Sequence, residues 1–316
     1  MENTENVKKV WQAIENVKYV IKGKDDCLTK LMCTMLAGGH ILMEDIPGVG
    51  KTTLAMAFSK ALSLKQKRMQ FTPDVLPSDV CGYHVLQKET GKYVYYPGAV
   101  MCNLFLADEI NRTSPKTQSA LLEVMEEGTV TIDAVCREVP QPFMVIATEN
   151  PTGSSGTQLL PESQLDRFMI RMSIGYPKPE DEISMLKSKR TLTVDDIEPC
   201  LTIDEILAMK KEVENIYMHD LVYQYAVDLI NATRHHQLLS LGVSPRGTIA
   251  LIRMASAYAY MQERDYVVPD DLAAVFVDVC AHRIILNTKA KVGNVTAEDI
   301  LEQILEVIQK PKAKKG

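Results

Sequence analysis

Apolar residues recur three and four places apart near the start of the chain, at Val10, Ile14, Val17 and Val20, which predicts a helix over residues 6–20. A second helical stretch, 25–37, leads into the unbroken apolar run Ile41-Leu42-Met43, and helical spacing returns over 53–64. Further short apolar runs lie at 68–71, 104–107, 143–147 and 169–174, with a helical pattern at 114–126. Short apolar runs alternating with helices predict strands buried on both faces of a mostly parallel sheet. Two segments break the rhythm. Residues 71–101, rich in Pro, Gly and Tyr, read as an insertion, and 128–142, with alternation in T-V-T-I-D, predict a β-hairpin. Beyond Tyr176-Pro177-Lys178-Pro179 helical periodicity takes over, at 181–189, 203–214, 220–235, 245–262, 269–281 and 297–308. The expected fold is therefore α/β. A five-stranded, mostly parallel sheet flanked by helices occupies residues 1–177, an all-helical domain 180–310, and a basic tail 311–316.

Composition narrows the classes. Hydrophobic residues make up 46% of the 316 and charged ones 24%, which suits one large or two ordinary globular domains. A net charge of −6 argues against a general nucleic-acid binder, although a few lysines could still line a pore. The basic run from Lys310 to Lys315 reads as a solvated, frayed end. Seven cysteines without a C-x-x-C pair fit reduced thiols and give no zinc pattern. The first residues are polar, and no run approaches the roughly 18 apolar residues of a membrane span. The expectation is a cytoplasmic protein with no membrane insertion.

The candidate chemistry begins at Met43, where M-E-D-I-P-G-V-G-K-T-T carries a strand through a glycine turn into a helix. Such a turn aims several backbone N–H groups and a helix N-terminus at one point, a cradle for phosphate. Gly48 and Gly50 let the backbone curl, Lys51 is suited to reach β- and γ-phosphates, and the Thr52 hydroxyl to bind Mg²⁺. Pro47, Val49 and Thr53 complete the loop. The pattern G-x-x-x-x-G-K-S/T asks for glycine at position 45, where this chain has Asp45, and an altered loop entrance with retained binding is expected. Downstream, Leu104-Phe105-Leu106-Ala107 ends in Asp108 and Glu109, a carboxylate for the metal and one to polarise water. Asn150 follows the strand 143–147 and is placed either to reach the γ-phosphate or only to open the turn before Pro151. Arg167 and Arg171 are candidates for an arginine used on a neighbour's triphosphate, or for surface ion pairs. Ser244-Pro245-Arg246 reads as an N-cap, a first-turn proline and a cation that the helix dipole disfavours unless an anion, such as a triphosphate, stands nearby.

Together these strings resemble the AAA+ ATPases and, among them, the MoxR branch, over residues from about Val20 to Ala281. The most specific are A-D-E-I-N-R from Ala107, P-K-T-Q-S-A-L-L-E-V-M-E-E after it, A-T-E-N-P, L-P-E-S-Q-L-D-R-F and S-P-R. The resemblance implies an AAA+ core with a small all-α lid, and Mg²⁺-dependent ATP hydrolysis with Asp108 and Glu109 as metal and water residues. It further implies Asn150 as sensor, a trans arginine at Arg167 or Arg171, a lid sensor at Arg246, and an adenine-side segment at Val20, Ile21 and Gly23. The segments 71–101 and 128–142 match its insert and hairpin. It implies homo-oligomeric rings, usually hexamers, that remodel a client protein, often with a von Willebrand A-domain partner in maturation of another complex. Insert tyrosines Tyr83, Tyr93, Tyr95 and Tyr96 either meet that client or cover a small core of their own. Glu149 departs from the glutamine more usual there. Two other readings stand beside this one: a nucleic-acid or chelatase-type motor, and a nucleotide-sensing scaffold that does not hydrolyse.

Overall fold

The computed structural model describes all residues except 1, 47, 150–159, 188–192 and 312–316. Helices α1 (Glu2–Lys18) and α2 (Asp25–Leu36) precede strand β1 (Ile41–Glu44), and α3 (Lys51–Ala61) follows the turn after it. Strand β2 (Gln66–Gln70) leads into the inserted segment, which folds as α4 (Pro77–Cys81) and a hairpin of β3 (Gly82–Gln87) and β4 (Lys92–Pro97). Next come β5 (Leu104–Asp108), α5 (Pro115–Glu127) and a second hairpin, β6 (Thr129–Ile132) with β7 (Val135–Glu138). Strand β8 (Met144–Glu149), helix α6 (Glu162–Leu165) and strand β9 (Ile170–Met172) complete the first half. The second half contains α7 (Pro179–Lys187), α8 (Ile203–Glu214) and α9 (Asp220–Arg234), then strand β10 (Leu239–Leu241) and α10 (Pro245–Met261). It ends with α11 (Pro269–Cys280), strand β11 (Ile285–Leu286), α12 (Thr288–Val292) and α13 (Ala297–Val307).

The five apolar runs form one sheet in the order β2-β5-β8-β1-β9, with every neighbouring pair parallel. Alternation along the strands sends Ile41, Met43, Leu104, Leu106, Met144 and Ile146 to one face. There they share a core with α1 to α3 that continues unbroken into the lid helices. Leu42, Phe105, Val145 and Ala147 face the other way, against Leu121, Leu122 and Phe168. Helix ends follow their local chemistry: the Ser114 and Ser244 side chains cap α5 and α10, each ahead of a proline, and Gly128 closes α5 at φ 64°.

Two features depart from the expected division. The helical half holds a small antiparallel ribbon of β10 and β11, strands of three and two residues, too short for alternation to register. Helix α1, placed with the sheet domain by sequence, also straps the lid. Lys9 pairs with Glu205 at 2.7 Å, Asn6 Nδ2 donates to Glu212 at 3.0 Å, and Trp11 Nε1 donates to the Met261 carbonyl at 3.2 Å. In the insert, Tyr95 turns inward. Its hydroxyl donates to the Cys81 carbonyl at 2.6 Å, and the Arg137 guanidinium lies 4.1 Å from its ring centre. Tyr83 and Tyr96 stack on each other in solvent, and Tyr93 is 72% exposed.

His40, just before β1, is a buried joint. Its Nδ1 accepts the Val145 N–H at 3.0 Å and its Nε2 lies 2.9 Å from the Met125 carbonyl. Only the neutral ring with its proton on Nε2 satisfies both. Burial lowers its pKa to about 4, Lys210's charge acting the same way and the Met125 carbonyl opposing. Below pH ~6.5 the unfolded chain therefore takes up a proton that the folded chain refuses, and stability falls as pH drops toward the folded value. Between pH 6.5 and 5 this one group is expected to cost roughly 2 kcal/mol, read by chemical denaturation, with a shallower slope for His40→Gln. Equal parent and variant slopes would remove His40 as the cause.

Candidate active site

Parallel strands open their C-terminal ends at one edge, and the candidate residues on β1, β5 and β8 gather there. After β1 the backbone turns through Gly48 and Gly50 at φ 87° and 93°, a left-handed region where glycine is at ease, and Lys51 begins α3. Space does not demand glycine at either place, since a Cβ there would meet nothing within 4 Å. The loop borders a cavity of about 340 Å³ that Thr52, Thr53, Asp108, Glu109 and Thr148 also line. Lys51 Nζ donates to the Asp45 carbonyl at 2.9 Å. Burial lowers its pKa, against the raising pull of Asp45, Asp108 and Glu109. Val49 packs half-buried on the core, while Pro47 and Asn150 lie outside the described residues.

Asp108, buried at the end of β5, accepts the Thr148 hydroxyl at 2.9 Å on one oxygen. On the other it accepts Arg68 Nε at 2.8 Å. The same Thr148 oxygen accepts the Glu109 backbone N–H at 2.9 Å, so one hydroxyl sets the spacing of the two carboxylate residues. Glu109 sits at φ 55°, a left-handed conformation that costs a side-chain-bearing residue of order 1 kcal/mol or more and often marks a working site. One oxygen of its carboxylate accepts Gln70 Nε2 at 2.9 Å and Arg112 Nη1 at 2.6 Å. Sequence reading missed Arg68, Gln70, Arg112 and Thr148. The polar pair on β2 becomes meaningful only once β2 is known to lie beside β5.

Val20 and Ile21 close the end of α1 and pack half-buried on the core. Gly23 is favoured by its φ of +69°, and the Asp181 carboxylate lies against its open α-carbon, where a Cβ would have to push that side chain aside. Glu149 buries a carboxyl whose Oε1 finds no hydrogen-bond partner among the described residues. Burial first, then the Glu44 charge, push its pKa up to about 7, with Arg171 opposing.

The arginines do not converge on this cavity. Arg167 precedes β9, at the N-terminal edge of the sheet, where Met169 N–H meets the His40 carbonyl. The five steps from His40 to Asp45 span roughly 16 Å of extended chain, so the glycine turn after β1 lies a full strand length away. Arg167 Nη1 donates to the Leu122 carbonyl at 2.8 Å and pairs with Glu126 Oε2 at 2.7 Å. Arg246 grips the other oxygen of that carboxylate. The anion awaiting Arg246 in its own chain is thus Glu126. Within one chain this position meets Glu126 and does not line the cavity beside the glycine turn, where the sequence pattern sets a triphosphate. Arg171 stays apart from both, on β9 between Glu44 at 3.4 Å and Glu298 at 2.8 Å, and ties the sheet to α13.

Gln70 and Arg112 hold the Glu109 carboxylate against the β2 edge, away from full freedom in the cavity. Gln70→Ala is expected to raise basal nucleotide turnover several-fold with nucleotide affinity unchanged, in a steady-state assay beside a binding titration. An unchanged or lower rate would count against the tether.

Residues 40–170 match the model of the AAA family of ATPases associated with various cellular activities, and 231–304 match an AAA lid domain. The chain is 43% identical to the uncharacterized protein YeaC of Bacillus subtilis, over 95% of this chain and 94% of that one. It is 34% identical to chaperone MoxR1 of Mycobacterium tuberculosis, over 95% and 82% of the two chains. A crystal structure of a candidate ATPase from Cytophaga hutchinsonii superposes with a TM-score of 0.91 at 34% identity, covering 98% of this chain and 97% of that one. With its five-stranded parallel sheet, the glycine turn between β1 and α3 and its helical lid, the chain belongs to the MoxR family of AAA+ ATPases.

Proposed function

We propose that the chain hydrolyses ATP at the C-terminal edge of its sheet, in a ring of like subunits, and uses the cycle to remodel or mature a partner protein. The observation that carries the hydrolytic reading is the convergence of Lys51, Asp108, Glu109 and Thr148 around one cavity beside a glycine cradle. The loop amides and Lys51 would take the β- and γ-phosphates, Glu109 would draw the proton of the attacking water, and Asn150 would orient it. Mg²⁺ suits the donors present, because it takes hard oxygens and shares its shell between one or two carboxylates and phosphate. Thr52 and Asp108 would hold it, and no cluster of three or more metal-ligating side chains occurs among the described residues to suggest another metal. When bound, the ion would neutralise negative charge on the phosphates.

Assembly follows from the arginines. Arg167 and Arg246 lie a strand length from their own phosphate loop, so their service to a triphosphate needs a neighbouring subunit. A closed ring, of six in the usual case, gives every site such a neighbour. The name of the Mycobacterium tuberculosis relative, a chaperone, supports a protein client. A von Willebrand A-domain protein is the further partner that the resemblance to the MoxR branch implies. The exposed tyrosines of the first hairpin offer that client a surface. Seven free cysteines accord with a reducing cytoplasm.

Glu109→Gln is expected to bind ATP like the parent and to lose at least about 100-fold in turnover. Retained turnover would remove Glu109 from its role. Specific activity of the parent should rise steeply with protein concentration and vanish in Arg167→Ala. Mixing Arg167→Ala with Lys51→Ala should restore activity, because each supplies what the other lacks. Flat turnover that survives Arg167→Ala would overturn the ring.

A further inference from the structure

The phosphate loop departs from its pattern at Asp45, and the structure gives this aspartate three connections. It lies outside the left-handed backbone region, so the glycine it replaces is not missed for its torsional freedom. Only 5% of it is exposed, yet its carboxylate is fully engaged, accepting Ser173 Oγ at 2.6 Å, Ile174 N–H at 2.7 Å and Gly175 N–H at 3.0 Å. Its carbonyl holds Lys51 Nζ at 2.9 Å, and its own N–H donates to the Glu149 carbonyl at 3.3 Å.

The turn that Asp45 grips is the passage out of the sheet. Residues 173–176 leave β9 and run into the proline-rich segment before α7, the chain's route to the lid. Gly175 bends it at φ 64°. From the other side Lys24 Nζ donates to the carbonyls of Ile174 at 2.6 Å, Gly175 at 3.2 Å and Tyr176 at 2.7 Å. An anion on the turn's N–H groups and a cation on its carbonyls clamp one short stretch of backbone. The cation comes from the segment beside Val20, Ile21 and Gly23, and the anion from the phosphate loop.

We propose that Asp45 is a positioning residue that couples occupation of the phosphate site to the passage between sheet and lid. This rests on the reading of the loop as an ATP site. An incoming phosphate takes up other N–H groups of the Lys51 ammonium and draws the amine toward its charge, which weakens or tilts the bond to the Asp45 carbonyl. Release of that carbonyl alters the restraint on a residue whose carboxylate carries the amides of Ile174 and Gly175. The path runs through two side chains, those of Lys51 and Asp45, joined by contiguous hydrogen bonds. A glycine at position 45 would keep the cradle and lose the connection.

Hydrogen exchange of the segment 170–179, with and without MgATP, tests the coupling in the full-length chain. In the parent, MgATP is expected to change exchange at Ile174 and Gly175. In Asp45→Gly those amides should exchange at least about tenfold faster without nucleotide and no longer respond to it. Nucleotide affinity, read with a fluorescent ATP analogue, should stay within about threefold, while kcat falls by about tenfold with KM spared. Ser173→Ala removes one of the three contacts and should give a smaller effect of the same sign, which covers the case of a poorly folded glycine variant. A parent that binds no ATP sinks the nucleotide reading and the coupling with it. A parent that binds ATP with unchanged exchange at 174–175 sinks the coupling alone. Loss of affinity in proportion to kcat in Asp45→Gly would reduce Asp45 to a shaper of the loop.

Discussion

The common direction of the five strands is the constraint on which the rest depends. Because each neighbouring pair is parallel, every strand delivers its final side chains to the same edge, and every entry to a strand lies at the other. Thr148, Asp108 and Gln70 meet around one cavity for this reason alone, although they come from β8, β5 and β2. The same polarity sends Arg167, a residue that precedes a strand, to the far edge. A helix–sheet protein with one reversed strand would have mixed the two sets. Here the polar residues gathered at the C-terminal edge and the arginines of the far edge are sorted by strand direction.

The lid is less separate than its sequence boundary suggests. The apolar core on one sheet face continues through α1 and α2 into Ile206, Met254 and Leu272 without a polar break. Arg283, nearly fully buried, donates to the Asp166 carboxylate at 2.8 Å and to the Phe168 and Met169 carbonyls at 2.6 and 3.0 Å. These bonds pin the lid to the strand that enters β9. Burial lowers the Arg283 pKa, with Asp166 opposing, as befits a guanidinium kept charged inside a core by its partners. Motion between the halves therefore has to occur where packing is thin and the backbone is held by polar contacts.

Most of the scaffold was legible in the sequence, because buried strands of a parallel sheet are continuous apolar runs and capped helices announce their ends. Lys51, Asp108 and Glu109 were legible for a related reason: each sits directly after such a run or turn, in a place local order defines. Gln70 and Arg68 were not, since their meaning comes from β2 lying beside β5, a long-range fact. Arg246 was half legible. A cation in the first turn of α10 signalled a missing anion, and only the fold could name Glu126, 120 positions earlier, as the group that supplies it. Asp45 read as a flaw in a motif because its partners, 128 to 130 residues away, are silent in one dimension.

The shared grip on Glu126 makes the sheet's far edge an ion exchanger. Four guanidinium groups, those of Arg167, Arg246, Arg253 and Arg283, border one cavity of about 210 Å³ with only Glu126 and Asp166 to balance them. A single carboxylate between two arginines is a weak counterion, and it is tethered to a helix end from which it cannot follow them. An anion of several charges brought to this edge would displace it without any change in the chain's path. In the ring proposed above, docking of one subunit on another would resemble the loading of a resin, each subunit arriving with Glu126 as the ion to be exchanged.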